Sequence, residues 1–325
     1  MALKQMSSLS AHRLFIYSLF ALALLLRIMA ALGDFAIDEA WSLLMVQNQA
    51  SSIEHIYTRI KLDNNHILNS LWMFLLGEQS YWPLYRIPAV LGGIVTVVFM
   101  HKTARRFGGF AGFSALVLYG FSFPFVFYSS EARGYGLMMA FMAVNLYLIL
   151  KMLEDFNWSK ARLGLFWVSV VLGVFSHTTF VFYYGSVVLW SALRIKNSGK
   201  QGILPVLQKL SQLHAVPAIF LAAHYFAFIR DMGIGGGPKN SSIIQSLAVT
   251  SLGWYQMPFQ EVFLAGLLLV ICAGLYVIRK DYKELWVLFA AGIFCMPALS
   301  VLVFNPSHIA SRYFLTSLFL AFLLP

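Results

Sequence analysis

Charge is scarce in this chain. Only 11% of its 325 residues are Asp, Glu, Lys or Arg, against about 25% in a soluble globular domain. That shortage excludes an ordinary water-soluble fold. Acids are the scarcer sign, with 13 Asp and Glu against 23 Lys and Arg, for a net charge of +10. The basic excess lies in short clusters between apolar runs, not in one patch, which argues against nucleic acid as a partner. Cysteine is nearly missing. Cys272 and Cys295 both fall inside apolar runs and read as small packing residues, with neither a disulfide framework nor a metal site. No segment repeats at a fixed period. The glycine run from Gly233 to Pro238 lacks a following Lys-Ser or Lys-Thr, so it reads as a flexible loop and not a phosphate cradle.

What fills the chain is apolar. Hydrophobic residues make up 60%, and the mean hydropathy is +0.74. A membrane crossing takes about 17–25 apolar residues. Runs that suit a crossing lie near 14–32, 84–101, 110–129, 135–153, 163–177, 178–193, 214–229, 262–279, 285–304 and 313–325. The expected fold is therefore an all-α polytopic membrane protein of about 10 transmembrane helices, in one domain spanning 1–325. The first run has no small-residue cleavage site and reads as a retained span. The fifth and sixth runs are parted only by Ser176 to Thr179 and predict a tight helical hairpin. The last stops at Pro325 before a full span is complete, which suggests truncation or an unusual end. Basic residues test the orientation. With the N-terminus cytoplasmic, 15 of the 23 fall on the inner side and 7 on the outer, and Arg27 lies within the first span.

His66 to Leu76 is apolar but too short to cross. It predicts a surface or re-entrant helix within a first outer loop, 33–83. A second outer loop covers 230–261. In the first, Ser51 to Glu54 has a capping-box pattern, opening a helix with Ile53, Ile56, Tyr57 and Ile60 on its apolar face. The densest polar feature follows the first span: Gly33-Asp34-Phe35-Ala36-Ile37-Asp38-Glu39. Asp34 can cap a helix carrying Asp38 and Glu39 in its first turn. Ile37, Trp41, Leu44 and Asn48 share one face of it. The acids therefore read either as helix caps or as functional carboxylates.

This topology sends Asp34, Asp38, Glu39, His66, Glu131, Arg133, Tyr135, His177, His308 and Arg312 to one side of the membrane. Such a set can be ordinary loop polars. It can also perform sugar transfer from a phosphate-linked donor: a carboxylate takes the acceptor proton, while Arg or His steadies the departing phosphate.

Several motifs fit that second reading. Asp38-Glu39-Ala40 after a first span resembles the Asp-Glu motif of membrane glycosyltransferases with the GT-C fold. Asn65-His66-Ile67-Leu68 resembles the His-Pro-Pro-Leu element of the bacterial family 39-like group, with Ile and Leu in place of the prolines. That group is akin to the protein mannosyltransferases and the lipid A aminoarabinose transferase. Tyr85 to Gly93 is similar to its Leu-Arg-Leu-Pro-Ser stretch, and Ser129 to Leu137 to its Ser-Arg-Glu-Ala-Arg-Met-Tyr-Ala-Leu element. Ser311 to Phe314 resembles a late Arg-Tyr. The match covers about 33–150 and is weak beyond. The resemblance implies a GT-C-type bundle in the cytoplasmic membrane, acting on its periplasmic or extracellular side. It also implies a polyprenyl-phosphate sugar as donor, with Asp38 as base.

Glu39 and Glu131 are further catalytic candidates; Arg133, His66, Tyr135, Arg312 and His177 are candidates for the donor phosphate. No cofactor is required. The chemistry allows a divalent metal, but no ligand cluster has the needed spacing. The acceptor, whether glycan, lipid or protein, is open. The rivals are a transporter or flippase, with its site at mid-membrane, and a non-catalytic scaffold.

Overall fold

The computed structural model describes residues 2–156, 158–198, 202–233, 260–282, 284–295, 298–299, 302 and 311–324. His308 and most of the second loop, 230–261, lie outside the described residues. The described chain is helical, with only an isolated bridge between Leu62 and Gly233.

Helix α1 (Ala2–Ala31) is followed by three short helices, α2 (Ile37–Gln49), α3 (Ile53–Thr58) and α4 (Ile67–Leu76). Then come α5 (Pro83–Ala104), α6 (Gly109–Phe121), α7 (Phe123–Phe127), α8 (Tyr135–Asp155), α9 (Lys160–Ser176), α10 (Phe180–Asn197) and α11 (Ile203–Ala227). The chain closes with α12 (Gln260–Asp281), α13 (Leu285–Ala290) and α14 (Leu315–Ala321). Four of the described helices, over Arg13–Ala31, Pro83–Phe107, Tyr135–Glu154 and Ile203–Asp231, are long and apolar enough to cross a membrane. The protein is thus a helical, membrane-associated one. Four is fewer than the ten runs read from the sequence. At 1.5 Å per residue, the ten residues of α4 cover about half a bilayer.

Two of the apolar runs are interrupted. The run expected over 110–129 breaks at Ser122, whose backbone is extended, and α7 restarts with Pro124 in its first turn. Proline suits a helix start because it brings no N–H that needs a partner there. The last carbonyls of α6 have no partner within their helix. Arg27 of α1 supplies one, donating to Gly120 at 2.9 Å and Tyr119 at 2.7 Å, and also to Ala23 and Phe125. A buried arginine in the first span is therefore a cap for the end of another helix. The run over 285–304 turns from α-helix into a π-helical segment at Ala291–Cys295.

Packing is closest between α5 and α8. A Cβ on Gly136 would lie 2.5 Å from the Ala89 carbonyl oxygen, and one on Gly92 just 2.5 Å from the Gly136 carbonyl. Small residues let helix backbones touch where water gives no hydrophobic drive between them. The main core is built from α5, α6, α8, α9 and α10 around Tyr119, Phe125, Met139, Phe166 and Phe180. A smaller core of Leu43, Val46, Ile60, Met73, Tyr85 and Ala132 fixes α2 and α4 to the bundle end.

Several local expectations change. Cys272 and Cys295 are both free and exposed on the helical surface, not packed inside. The cap of α3 is Ser52, one residue later than the pattern suggested, and Ser51 Oγ pairs with His55 Nδ1 at 2.9 Å. The stripe of Ile37, Trp41 and Leu44 in α2 does share one face, as expected, and that face points outward, exposed by 85%, 56% and 50%. The buried face holds Glu39, Ser42, Leu43, Met45 and Val46.

Candidate functional site

The end of α1, the starts of α2, α5 and α8, and the end of α9 meet at one end of the bundle. The acidic stretch lies at their centre. Asp34 does not cap α2: its carbonyl accepts from Arg86 Nη2 at 2.6 Å. The helix begins after Ala36, and Glu39 at its third position reaches back to the Ala36 N–H at 2.7 Å.

Asp38 and Glu39 point about 100° apart on a helix, and their surroundings differ completely. Glu39 is fully buried. Both its oxygens accept from Arg86, at 2.8 and 2.6 Å, and Oε1 also accepts the Ala132 N–H. Arg86 is 3% exposed and donates as well to the Ala31 and Gly33 carbonyls. This buried pair ties α1, α2, α5 and the start of α8 together. Glu39 is a brace, not a catalytic carboxylate, because no face of it is open to a substrate.

Asp38 faces the other way, with its side chain 38% exposed. Its Oδ2 accepts from Arg133 Nη1 at 2.7 Å and from Arg312 Nη1 at 3.1 Å. Arg133 also donates to Asn64 Oδ1 at 2.7 Å and lies 5.1 Å from the Tyr135 ring centre. These residues border a cavity of about 460 Å³, lined by Ile37, Asp38, Trp41, Leu62, Asp63, Asn64, Arg133, Tyr135, His177, Arg312 and Tyr313. That volume suits a small ligand. Arg133 Nε, Arg312 Nε and the Tyr135 hydroxyl are buried and have no hydrogen-bond partner. Buried polar atoms are normally satisfied; these three are enclosed behind the cavity wall, while the Nη1 groups of both arginines reach Asp38 at its edge.

Two candidates lie behind this wall. His66 Nδ1 is 3.3 Å from the Ser176 carbonyl, which can only accept, so Nδ1 carries the proton. Nε2 then accepts from Arg133 Nη2 at 3.4 Å. Burial, with His177 and Arg133 beside it, holds His66 well below the usual imidazole range, so the ring is neutral. It positions Arg133 and does not line the cavity. His177 does line it, with Nδ1 accepting the Thr179 N–H at 3.1 Å and its ring 4.5 Å from that of Tyr135. Glu131 is also absent from the lining. It is half-buried, with Oε2 enclosed and unpartnered. Burial pushes its carboxyl up to about 7, opposed by Arg133 and helped by Glu39 and Asp38. As placed, it does not face the cavity where a catalytic acid would act.

The sequence reading missed Asp63, Asn64 and Tyr313. The Tyr313 hydroxyl donates to Asp63 Oδ2 at 3.3 Å. The Asp63 N–H donates to the Gly233 carbonyl and the Gly233 N–H to that of Lys61, each at 2.9 Å. The signals were nearness to His66 for Asp63 and Asn64, and the late Arg-Tyr stretch for Tyr313.

The chain matches no protein-family model and no curated protein. The site's chemistry therefore rests on its own geometry. Two guanidinium groups meet a carboxylate that solvent can reach, with the Tyr135 ring beside Arg133. Such a set can hold a phosphate by charge-assisted, fork-like hydrogen bonds. Among the described residues no group of three or more His, Cys, Asp or Glu converges as metal ligands would.

Proposed function

We propose that this protein transfers a sugar from a polyprenyl-phosphate donor to an acceptor hydroxyl, on the outer side of the cytoplasmic membrane. The proposed architecture is a GT-C-type bundle of about ten crossings. One observation carries the reading: Asp38, Arg133 and Arg312, from three distant parts of the chain, meet in one cavity beside the exposed Ile37–Trp41–Leu44 stripe. A lipid-borne phosphate presents an apolar chain and an anion together, and this juxtaposition accommodates both.

In the proposed reaction the acceptor oxygen attacks the anomeric carbon from the side opposite the phosphate, so configuration inverts. The bond between that carbon and the phosphate oxygen breaks. Asp38 takes the hydroxyl proton, and the electron pair leaves on polyprenyl phosphate. Arg133 and Arg312, released from Asp38 by the incoming anion, take up its charge. His177 and Tyr135 add neutral donors, and His66 holds Arg133 in place. No step is assigned to a metal.

A transporter would need polar groups free within its spans. Arg27, the charge set within the first apolar run, is committed to backbone carbonyls instead. The experiment is to incubate purified protein with polyprenyl-phosphate sugars labelled in the sugar, together with membrane extract. Label moving into an extract component, with unlabelled polyprenyl phosphate released, supports the reading. Intact donor with every sugar tried overturns it.

A further inference from the structure

A second polar cluster lies at the opposite end of α5 and α8. Phe99 and Tyr147 meet edge to face, their ring centres 5.5 Å apart. Three cations gather on this pair. Lys102 Nζ stands 5.2 Å from the Phe99 ring centre. Arg106 Cζ and Lys151 Nζ each stand 5.9 Å from that of Tyr147. Arg106 pairs with Glu154. Among the described residues no carboxylate pairs with Lys102 or Lys151. Like charges repel, so three cations with one described carboxylate, Glu154, paired among them leave a site short of negative charge.

The surface leading to this cluster is apolar. Ile94, Val95 and Val98 of α5 and Phe141 and Val144 of α8 are all partly exposed. Both helices are long and apolar enough to cross a membrane, and the cations stand in the last turns of those stretches. An apolar strip about a half-bilayer long, ending in aromatic rings and unneutralised cations, has the layout of a phospholipid.

We propose that the outer face shared by α5 and α8 binds an anionic diacyl phospholipid. Its phosphate would sit among Lys102, Arg106 and Lys151, and its acyl chains along the strip below. The inference is independent of the sugar-transfer reading, because these residues lie at the other end of both helices from Asp38.

Native mass spectrometry of the full-length protein, titrated with dioleoyl phosphatidylglycerol or dioleoyl phosphatidylcholine, tests it. We expect retention of phosphatidylglycerol over phosphatidylcholine. The double variant Lys102→Gln, Lys151→Gln should reduce that preference up to about 30-fold, given the usual contribution of each cation near an anionic lipid surface. Both lysines are surface residues outside the core, so the variant should fold, and an unchanged melting temperature checks this. Arg279→Gln with Lys280→Gln serves as control, removing the same charge from α12. Equal retention of the two lipids overturns the proposal. So does an equal loss in the control variant, which would mark diffuse attraction and no built site.

Discussion

Replacing Glu39 probes the division of labour between the two adjacent acids. Its carboxylate accepts two hydrogen bonds from Arg86 and one each from the Ala36 and Ala132 N–H groups. Glu39→Ala strands a guanidinium that is 3% exposed and leaves two backbone donors without acceptors. Removing one partner of a buried pair costs about 3–5 kcal/mol. Each stranded N–H adds a further cost of about 1–3 kcal/mol. Arg86 keeps its bonds to the Ala31, Gly33 and Asp34 carbonyls, which offsets part of this loss. We therefore expect about 3–5 kcal/mol in all. At roughly 2 °C per kcal/mol for a chain of this size, the melting temperature should fall by about 6–10 °C. The assay is thermal unfolding in detergent or nanodiscs, followed by tryptophan fluorescence. Asp38→Asn is the companion variant. Its side chain is partly exposed, and Asn keeps an oxygen for the arginines, so its melting temperature should stay within about 2 °C of wild type. A Glu39→Ala protein that melts with wild type would refute the brace.

Two further perturbations follow from the same region. A Cβ on Gly134 would lie 1.7 Å from the Ser176 carbonyl oxygen and 2.7 Å from His66 Nδ1. Gly134→Ala should therefore destabilise the protein by about 3 kcal/mol, the upper part of the overpacking range, and a melting curve that matches wild type would contradict the close approach. Glu131 supplies a pH dependence. Its folded carboxyl titrates near 7 against an ordinary 4.5, so the folded state holds the proton more tightly. Its contribution is fully present below about 4.5 and is lost as pH rises through about 7, a change of about 2–4 kcal/mol. Wild type should melt lower at pH 8 than at pH 5, and Glu131→Gln should flatten that slope; an unchanged slope would place the titration elsewhere.

Length and charge made the long elements legible. The runs that became α1, α5 and α8 were visible because an uninterrupted apolar stretch of that length has few other uses. The shortness of 66–76 likewise anticipated α4. The break at Ser122 was harder to read, because it depends on Arg27 reaching the α6 carbonyls from 92 and 93 residues away. The sequence put Asp38 first as base, with Glu39 beside it as the nearest competitor. What separates them is which neighbour each meets, Arg86 or Arg133, and spacing along the chain does not encode that. The outward turn of Ile37, Trp41 and Leu44 has the same origin. A periodic apolar stripe shows that a helix has two faces, but not which of them meets protein and which meets lipid. Asp63 carried no motif at all, and Tyr313 only its place beside Arg312 in the late Arg-Tyr; tertiary contact brings them to the cavity.

The central claim is that Asp38 removes the acceptor proton while Arg133 and Arg312 hold the donor phosphate. Turnover and donor affinity of Asp38→Asn, measured side by side in one vesicle preparation, test it most directly. Asn keeps the shape but cannot accept the proton, so turnover should fall about 10²–10⁴-fold, the usual worth of general-base assistance. Donor binding should be unchanged or tighter, because the arginines lose a competing carboxylate. Near-normal turnover with Asp38→Asn would contradict the account.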